Sequence, residues 1–467
     1  SELSIEAVKG ARYMNIIYIH THDSGRILSP YGYNVPTPNL NKFAEDAAIF
    51  TESFCVSPTC SPSRAALLTG TYPHQNGMLG LAQRGFSIDY NKHLVNYLNK
   101  NNYHTILCGI QHEAGWYLDH DLGAKTIGYN ENITNDNKEY RQEDLTLWDQ
   151  KNAESLSEWI ENYHGEKPFF ISYGMYSTHR RYPDCIDEEI DENMIRPPYP
   201  IPNNAMTRRD HARYMTSAKS ADNCFGKVIE TLKKENKYNN TIIIFTTDHG
   251  LANPFSKCTL FDSGIGVSLI MRVPNSSANG KVIDNLVSHI DVFPTLCDLL
   301  ELDKPEYLEG KSFAESFINV EAPTREEIFA EVTFHTSYEP IRCVRTKRYK
   351  YIRYYDKEYL NINRSNIDSS LSKEFYMKND LSSQVKYEEA LFDLYYDIGE
   401  RNNLIDDLRY ENIRIHLRDK LEKHLKDTND MILQGEIPVK KEWKVNKKEC
   451  VEASSKNKND YVSLGLK

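Results

Sequence analysis

Thr241-Ile242-Ile243-Ile244-Phe245-Thr246-Thr247-Asp248-His249-Gly250 is a short apolar, β-branched run that stops on an acid, an imidazole and a glycine. A run without polar alternation reads as a strand buried on both faces, the kind found in parallel sheets. Residues 14–20, 105–109 and 168–173 read the same way, and residues 38–47, 92–101, 145–163 and 208–235 carry helical spacing between them. That alternation predicts an α/β fold: a large, mostly parallel sheet with helices on both faces. In open sheets of this kind ligands gather at the carboxyl ends of the strands, so chemistry is expected where these runs stop. Beyond about residue 323 the rhythm changes to short strand-like pieces at 341–344, 349–355 and 391–395, then a helix over 408–427. This predicts a smaller C-terminal α+β domain with an antiparallel sheet, and a division into residues 1–325 and 326–467.

Composition narrows the function. The chain has 467 residues, 40% apolar and 26% charged, the ordinary range for a folded globular protein. Apolar runs such as 242–245 fall far short of the ~18 residues needed to cross a bilayer, so no membrane partner is expected. With 67 acidic against 56 basic residues the net charge is −11, which argues against nucleic acid as a partner. An anionic substrate would need a local cationic cluster that overrides this field. The 9 cysteines are odd in number and form no CxxC pair, which argues against a disulfide framework or a zinc knuckle. No charged-then-apolar secretory pattern opens the chain, and the expected compartment is the cytoplasm, with a removed leader and export as the alternative.

Cys60-Ser61-Pro62-Ser63-Arg64-Ala65-Ala66-Leu67-Leu68-Thr69-Gly70 reads as a helix with Ser61 as its N-cap, Pro62 in the first position and Gly70 at its end. Cys60 would then sit at a helix N-terminus, where open N–H groups and the dipole favour an anion, with Arg64 one turn along. This stretch resembles the C-x-P-S-R-x-x-x-L-T-G signature of the sulfatase family of the alkaline-phosphatase superfamily, met at Cys60, Pro62, Ser63, Arg64, Leu68, Thr69 and Gly70. The resemblance implies an alkaline-phosphatase-like fold and a nucleophile at Cys60, oxidised to formylglycine by a maturation enzyme. Its hydrated aldehyde attacks sulfur with one oxygen and expels sulfate with the other.

The resemblance continues along the chain. Residues 15–19 followed by His22-Asp23-x-Gly25 are similar to the family's first strand and metal pair, with His22 in place of the first aspartate. Thr37-Pro38-Asn39-Leu40 matches a helix opening, and Asp248-His249-Gly250 the second metal pair. Asp23, Asp248, His249, the group derived from Cys60, and His22 would thus hold one divalent metal. Calcium is the family's ion, while the imidazoles keep manganese, iron and zinc open. Lys257-x-Thr259-Leu260-Phe261-x-x-Gly264 resembles the segment whose lysine contacts sulfate, and Phe169-Phe170 with Ser177-Thr178-His179 the one whose histidine protonates the leaving oxygen. The required cationic cluster is then Arg64, Lys257, His179 and the metal.

One motif departs from the pattern. The family's G-K-x-H is Gly109-Ile110-Gln111-His112 here, so His112 remains to contact nucleophile or sulfate while the lysine is Ile110. Gln111, as a substrate contact, or Glu113 could fill part of the gap. His74-Gln75-Asn76-Gly77-Met78-x-Gly80-Leu81, Glu331-Val332-Thr333, Ser337-Tyr338 and Pro340-Ile341-Arg342 resemble the heparan N-sulfatase (sulfamidase) branch. They nominate a sugar pocket between the domains, with His74 in it. The expected activity is hydrolysis of a sulfate ester or sulfamate on a glucosamine-type sugar at a glycan end, as in glycosaminoglycan degradation. Two alternatives are a phosphonate monoester or phosphodiester hydrolase of the same superfamily, and a non-catalytic glycan-binding relative. Oligomeric state is not legible.

Overall fold

The computed structural model describes residues 14–116 and 119–466; the opening of the chain, on which the leader reading turns, lies outside the described residues. The main sheet contains β1 (Asn15–Thr21), β2 (Ala48–Phe50), β4 (His104–Gly109), β5 (Glu131–Asn132), β6 (Phe169–Gly174), β7 (Thr241–Thr247), β8 (Leu269–Arg272) and β9 (Val282–Ile283). A separate short pair joins β3 (Ser53–Phe54) to β10 (Val287–Ser288). The main order is β5-β4-β6-β1-β7-β8-β2-β9. β1 pairs in parallel with β6 and β7, and β4 continues in parallel beyond β6. β8 runs antiparallel to both β7 and β2, so the sheet is mixed at one side.

Every residue of β1, β6 and β7 is buried, which explains the unbroken apolar runs. Alternate side chains leave the sheet on opposite faces. Ile16, Phe170, Ile242 and Ile244 pack with Leu94, Leu98, Phe293 and Leu296 on one face. Ile17, Ile19, Ile171, Ile243 and Phe245 pack on the other with Leu156, Phe225 and Val228, carried by the helices Leu145–Asn162 and Ala205–Lys234. Each such side chain contributes about 1.5–3 kcal/mol by leaving water, so both faces hold the central strands in register.

The second layer is an antiparallel sheet in chain order: β11 (Ile328–Phe334), β12 (Tyr338–Arg345), β13 (Tyr349–Tyr354) and β14 (Glu389–Asp393). Leu417, Leu421 and Leu425, one helical turn apart on Glu411–Asp427, join a core with Tyr351 and Leu391. β11 is a full strand where the sequence suggested none. Among the described residues no helix is long and apolar enough to cross a membrane.

Candidate active site

The chemistry-bearing residues stand just beyond the carboxyl ends of four neighbouring parallel strands. His22 and Asp23 follow β1, Asp248 and His249 follow β7, His112 follows β4 and His179 follows β6. These tips are laced together. His22 N donates to the Ser177 carbonyl (2.9 Å), Thr178 N donates to the His22 carbonyl (2.8 Å), and Gly25 N donates to the His249 carbonyl (2.9 Å). Asp149 accepts from Tyr176 N (2.7 Å), Ser177 N (2.9 Å) and Ser177 Oγ (2.8 Å), fixing the turn that leads to His179. Asp23 (φ 52°) and His112 (φ 67°) adopt left-handed backbone, an uncommon state for residues with a Cβ that recurs at functional sites.

The signature helix spans Cys60–Thr69 and is buried throughout. Its N-cap is Thr59, which corrects the expectation of Ser61; Cys60 is itself the first helical residue, and Ser61 Oγ instead accepts from Ala82 N (3.0 Å). The proline therefore sits inside the first turn, where no N–H is required. Gly70 ends the helix at φ 65°, a left-handed conformation that favours glycine, and a Cβ there would also press on Leu308 Cδ2 at 2.5 Å.

Arg64 is held from three sides: one terminal nitrogen bonds His20 Nδ1, and the other donates to the Thr21 carbonyl (3.1 Å) and Asp248 Oδ2 (3.3 Å). His20 Nε2 in turn contacts Ser172 Oγ at 2.9 Å. Asp248 Oδ1 accepts the backbone N–H groups of Asp23 and His249, both at 2.9 Å. Burial acts to raise the Asp248 carboxyl, but its neighbours His249, Arg64 and His22 hold it well below the usual carboxylate range. Lys257 Nζ lies 3.2 Å from Asp23 Oδ2 and 3.4 Å from Asp368; burial opposes its charge, and these two carboxylates keep it firmly protonated. Burial, reinforced by Arg64, drives His22 down to about 3. Burial also pushes the Cys60 thiol well up.

The donor set fits a cation. His22, Asp23, Cys60 and Asp248 each offer a ligand atom, all within 4.8 Å of one another. His22 Nδ1 is 3.2 Å from Asp248 Oδ2, His249 Nε2 is 3.1 Å from Asp23 Oδ1, and Cys60 Sγ is 3.6 Å from His249 Nε2. Neighbouring donors on one ion at ~2.1–2.3 Å stand roughly 3 Å apart. Both ring nitrogens of His22 and Asp23 Oδ1 are buried without a hydrogen-bond partner. His249 Nδ1 donates to the Gly250 carbonyl (2.8 Å), which turns the Nε2 lone pair toward the Asp23 carboxylate. Lone pair facing lone pair in a buried site is relieved by a cation.

A cavity of about 930 Å³ opens from this centre, lined by His22, Cys60, Ile110, Gln111, His112, His179 and Lys257. His112 and His179 flank His22, with ring centroids 4.5 and 5.5 Å away. Gln111 faces the cavity, but its amide is spent on Ala114 N (2.8 Å) and the Ala114 carbonyl (3.0 Å). Glu113 turns away to His93 (3.1 Å). Both side chains are thus engaged away from the centre.

His74 is not in this cavity, which corrects its assignment as a substrate contact. Its side chain is fully buried against Glu331 Oε1 (2.6 Å) and Thr428 Oγ1 (2.8 Å), because the HQNG turn packs under the second sheet. Arg342, from the same expected sugar pocket, is likewise buried on Asp430 (2.6 Å). The second layer does line the cavity, through His335, Thr336, Ser365 and Asp368. Asp368 has no motif in the sequence and reaches Lys257 from 111 positions away. His20 could have been found: it stands near the end of β1, two residues before His22.

The sulfatase family profile matches residues 14–302. The chain belongs to the sulfatase family. A second profile, N-sulphoglucosamine sulphohydrolase C-terminal, matches residues 248–388 of this sulfatase. An ulvan-active sulfatase of Formosa agariphila is 27% identical to it, over 89% of this chain and 75% of the relative. Human N-sulphoglucosamine sulphohydrolase is 25% identical over 90% of this chain and 91% of its own length. The fold is also that of the phosphonate monoester hydrolase of Agrobacterium radiobacter (TM-score 0.68, 19% identity, 90% of this chain and 97% of that one). By family this sulfatase is a sulfuric ester hydrolase.

Proposed function

We propose that this sulfatase removes sulfate from a sulfate ester or sulfamate on a glucosamine-type sugar at a glycan end, with formylglycine from Cys60 as nucleophile and one divalent cation beside it. The observation that carries the reading is the meeting of Cys60, at the mouth of a buried helix, with His22, Asp23 and Asp248 from two strand tips. Asp23, Asp248, His249 and His22 would hold the cation, whose contribution is to screen the negative oxygens of the sulfate. Hydrated formylglycine would supply a hydroxyl where the thiol stands.

The chain's own residues do the positioning. Arg64 is immobilised one turn beyond Cys60 and keeps its charge fixed there. Lys257 bridges Asp23 and Asp368, so an arriving sulfate can replace Asp368 as its partner. His179 donates Nδ1–H to the Arg180 carbonyl, so Nε2, when it too carries a proton, is the atom that passes that proton to the leaving oxygen or nitrogen. Cys60 is only 3% exposed at the inner end of the cavity, which suits a chain end better than the middle of a polymer.

Sulfate esters, sulfamates and phosphonate monoesters are all tetrahedral monoanions, so the deciding experiment is turnover of N-sulfoglucosamine, an aryl sulfate and a phenylphosphonate ester side by side. The reading expects the sulfated glucosamine to be hydrolysed fastest; faster phosphonate turnover would overturn it. The glucosamine assignment is supported by the C-terminal profile and the human relative.

A further inference from the structure

We propose that the cation site selects a borderline transition-metal dication of the zinc or iron(II) kind over calcium, and that His22 makes the choice. The inference takes its ligand set from the catalytic reading above, but it is argued from donor chemistry alone.

Calcium is a hard ion that gathers six to eight oxygen ligands, and imidazole is a poor partner for it. Here the side chains at the centre supply two carboxylates, Asp23 and Asp248, and two imidazoles, His22 and His249. The third carboxylate of the neighbourhood, Asp368, belongs to a different group with Asp23 and His179 and is engaged by Lys257. A mixed nitrogen and oxygen set of this kind suits zinc and iron(II).

Both imidazoles are placed to accept a cation. His249 spends Nδ1–H on the Gly250 carbonyl, so Nε2 presents its lone pair. His22 is 0% exposed, and neither of its nitrogens makes a well-aligned hydrogen bond, the nearest partner of Nδ1 being the Asp248 carboxylate at 3.2 Å. A structural histidine at that depth would find an acceptor or a donor for its ring, as His74 and His20 do in this same chain. Spacing agrees as well, since 3.1–3.2 Å between imidazole and carboxylate atoms matches a compact shell. An aspartate at position 22 would make the set oxygen-rich and lower the local charge by one.

The test uses the full chain carrying Cys60→Ala, so that sulfur cannot supply the preference. The protein is stripped with a chelator, equilibrated with Zn2+ and an excess of Ca2+, desalted and assayed for bound metal by mass spectrometry. The expected result is one equivalent of zinc and no calcium, and replacement of zinc by Co2+ should give visible absorption typical of nitrogen ligation. Adding His22→Asp should cut the zinc-over-calcium selectivity by roughly 10- to 100-fold and weaken the cobalt bands. Calcium held in preference by the His22 protein, no metal held at all, or zinc selectivity and cobalt bands unchanged in His22→Asp would each overturn the proposal. If His22→Asp fails to fold, His22→Gln gives the same readout by loss of the imidazole. Zinc retained with this preference by a mature protein that hydrolyses no sulfate would sink the sulfatase reading and leave the metal inference standing.

Discussion

Two buried clusters in this chain have nearly the same composition and opposite meanings. One joins His22, Asp23 and Asp248 at the strand tips with Cys60 of the signature helix; the other joins His74, Glu331 and Asp430 between the two layers, and both bring their ligand atoms within 4.8 Å. In the second, His74 bonds Glu331 and Thr428, and Asp430 takes Arg342 at 2.6 Å and the Ile432 N–H at 3.0 Å. In the first, His22 and one oxygen of Asp23 have no hydrogen-bond partner. Residue type does not separate a structural cluster from a functional one; satisfaction of the buried polar atoms does. Removing residues from the first should cost turnover, and from the second stability.

The largest expected effect is in the first cluster. Cys60→Ala should lower turnover at least about 10⁴-fold while leaving the melting temperature nearly unchanged, because the Cys60 thiol caps no helix N–H and reaches only His249 Nε2, at 3.6 Å. Steady-state rates and a thermal melt check this; retained activity would place the nucleophile elsewhere. In the second cluster, Asp430→Ala takes the 2.6 Å carboxylate from buried Arg342 and leaves it only Glu331 at 4.0 Å, which should cost about 3 kcal/mol of stability. The kcat of the folded fraction should stay unchanged, and a fall in kcat would erase the distinction between the clusters.

A smaller effect probes the border of the first cluster. Arg64→Lys loses the planar fork that meets His20, Thr21 and Asp248 together, and kcat/KM should drop roughly 10- to 100-fold. The smallest effect belongs to the second cluster's edge, where His424 stacks on Phe329 with centroids 3.9 Å apart. Burial, then the nearby His74, holds His424 down to about 3. Between that value and the ordinary ~6.5 the unfolded chain binds one more proton than the folded one. Stability is therefore complete above pH 6.5 and declines as pH falls, by less than the ~1.4 kcal/mol per unit of a fully buried group. His424→Phe should remove that part of the slope in chemical denaturation at pH 5 and 7; an unaltered slope would detach His424 from it.

The site was largely legible because its residues follow directly on strands whose burial leaves an unbroken apolar run. β1, β4, β6 and β7 could all be read, and what stood beyond them converged once the strands were parallel neighbours. The short strands β2, β8 and β9 at the other side were not legible, being two to four residues long. β11 was hidden by Glu331, an acid inside a buried strand that pairs with His74 only in three dimensions. His74 was misread for the same reason: a turn rich in polar residues looks exposed until a second layer covers it. Asp368 lies on an irregular loop and acquires its role only through Lys257, so no local spacing announces it.

The most direct test of the whole account is the chemical state of residue 60 in protein isolated from its native host, by mass spectrometry of the peptide that contains it. The account predicts an aldehyde-bearing peptide in the active fraction. A fully reduced, unmodified cysteine in protein that turns over sulfate esters would contradict it.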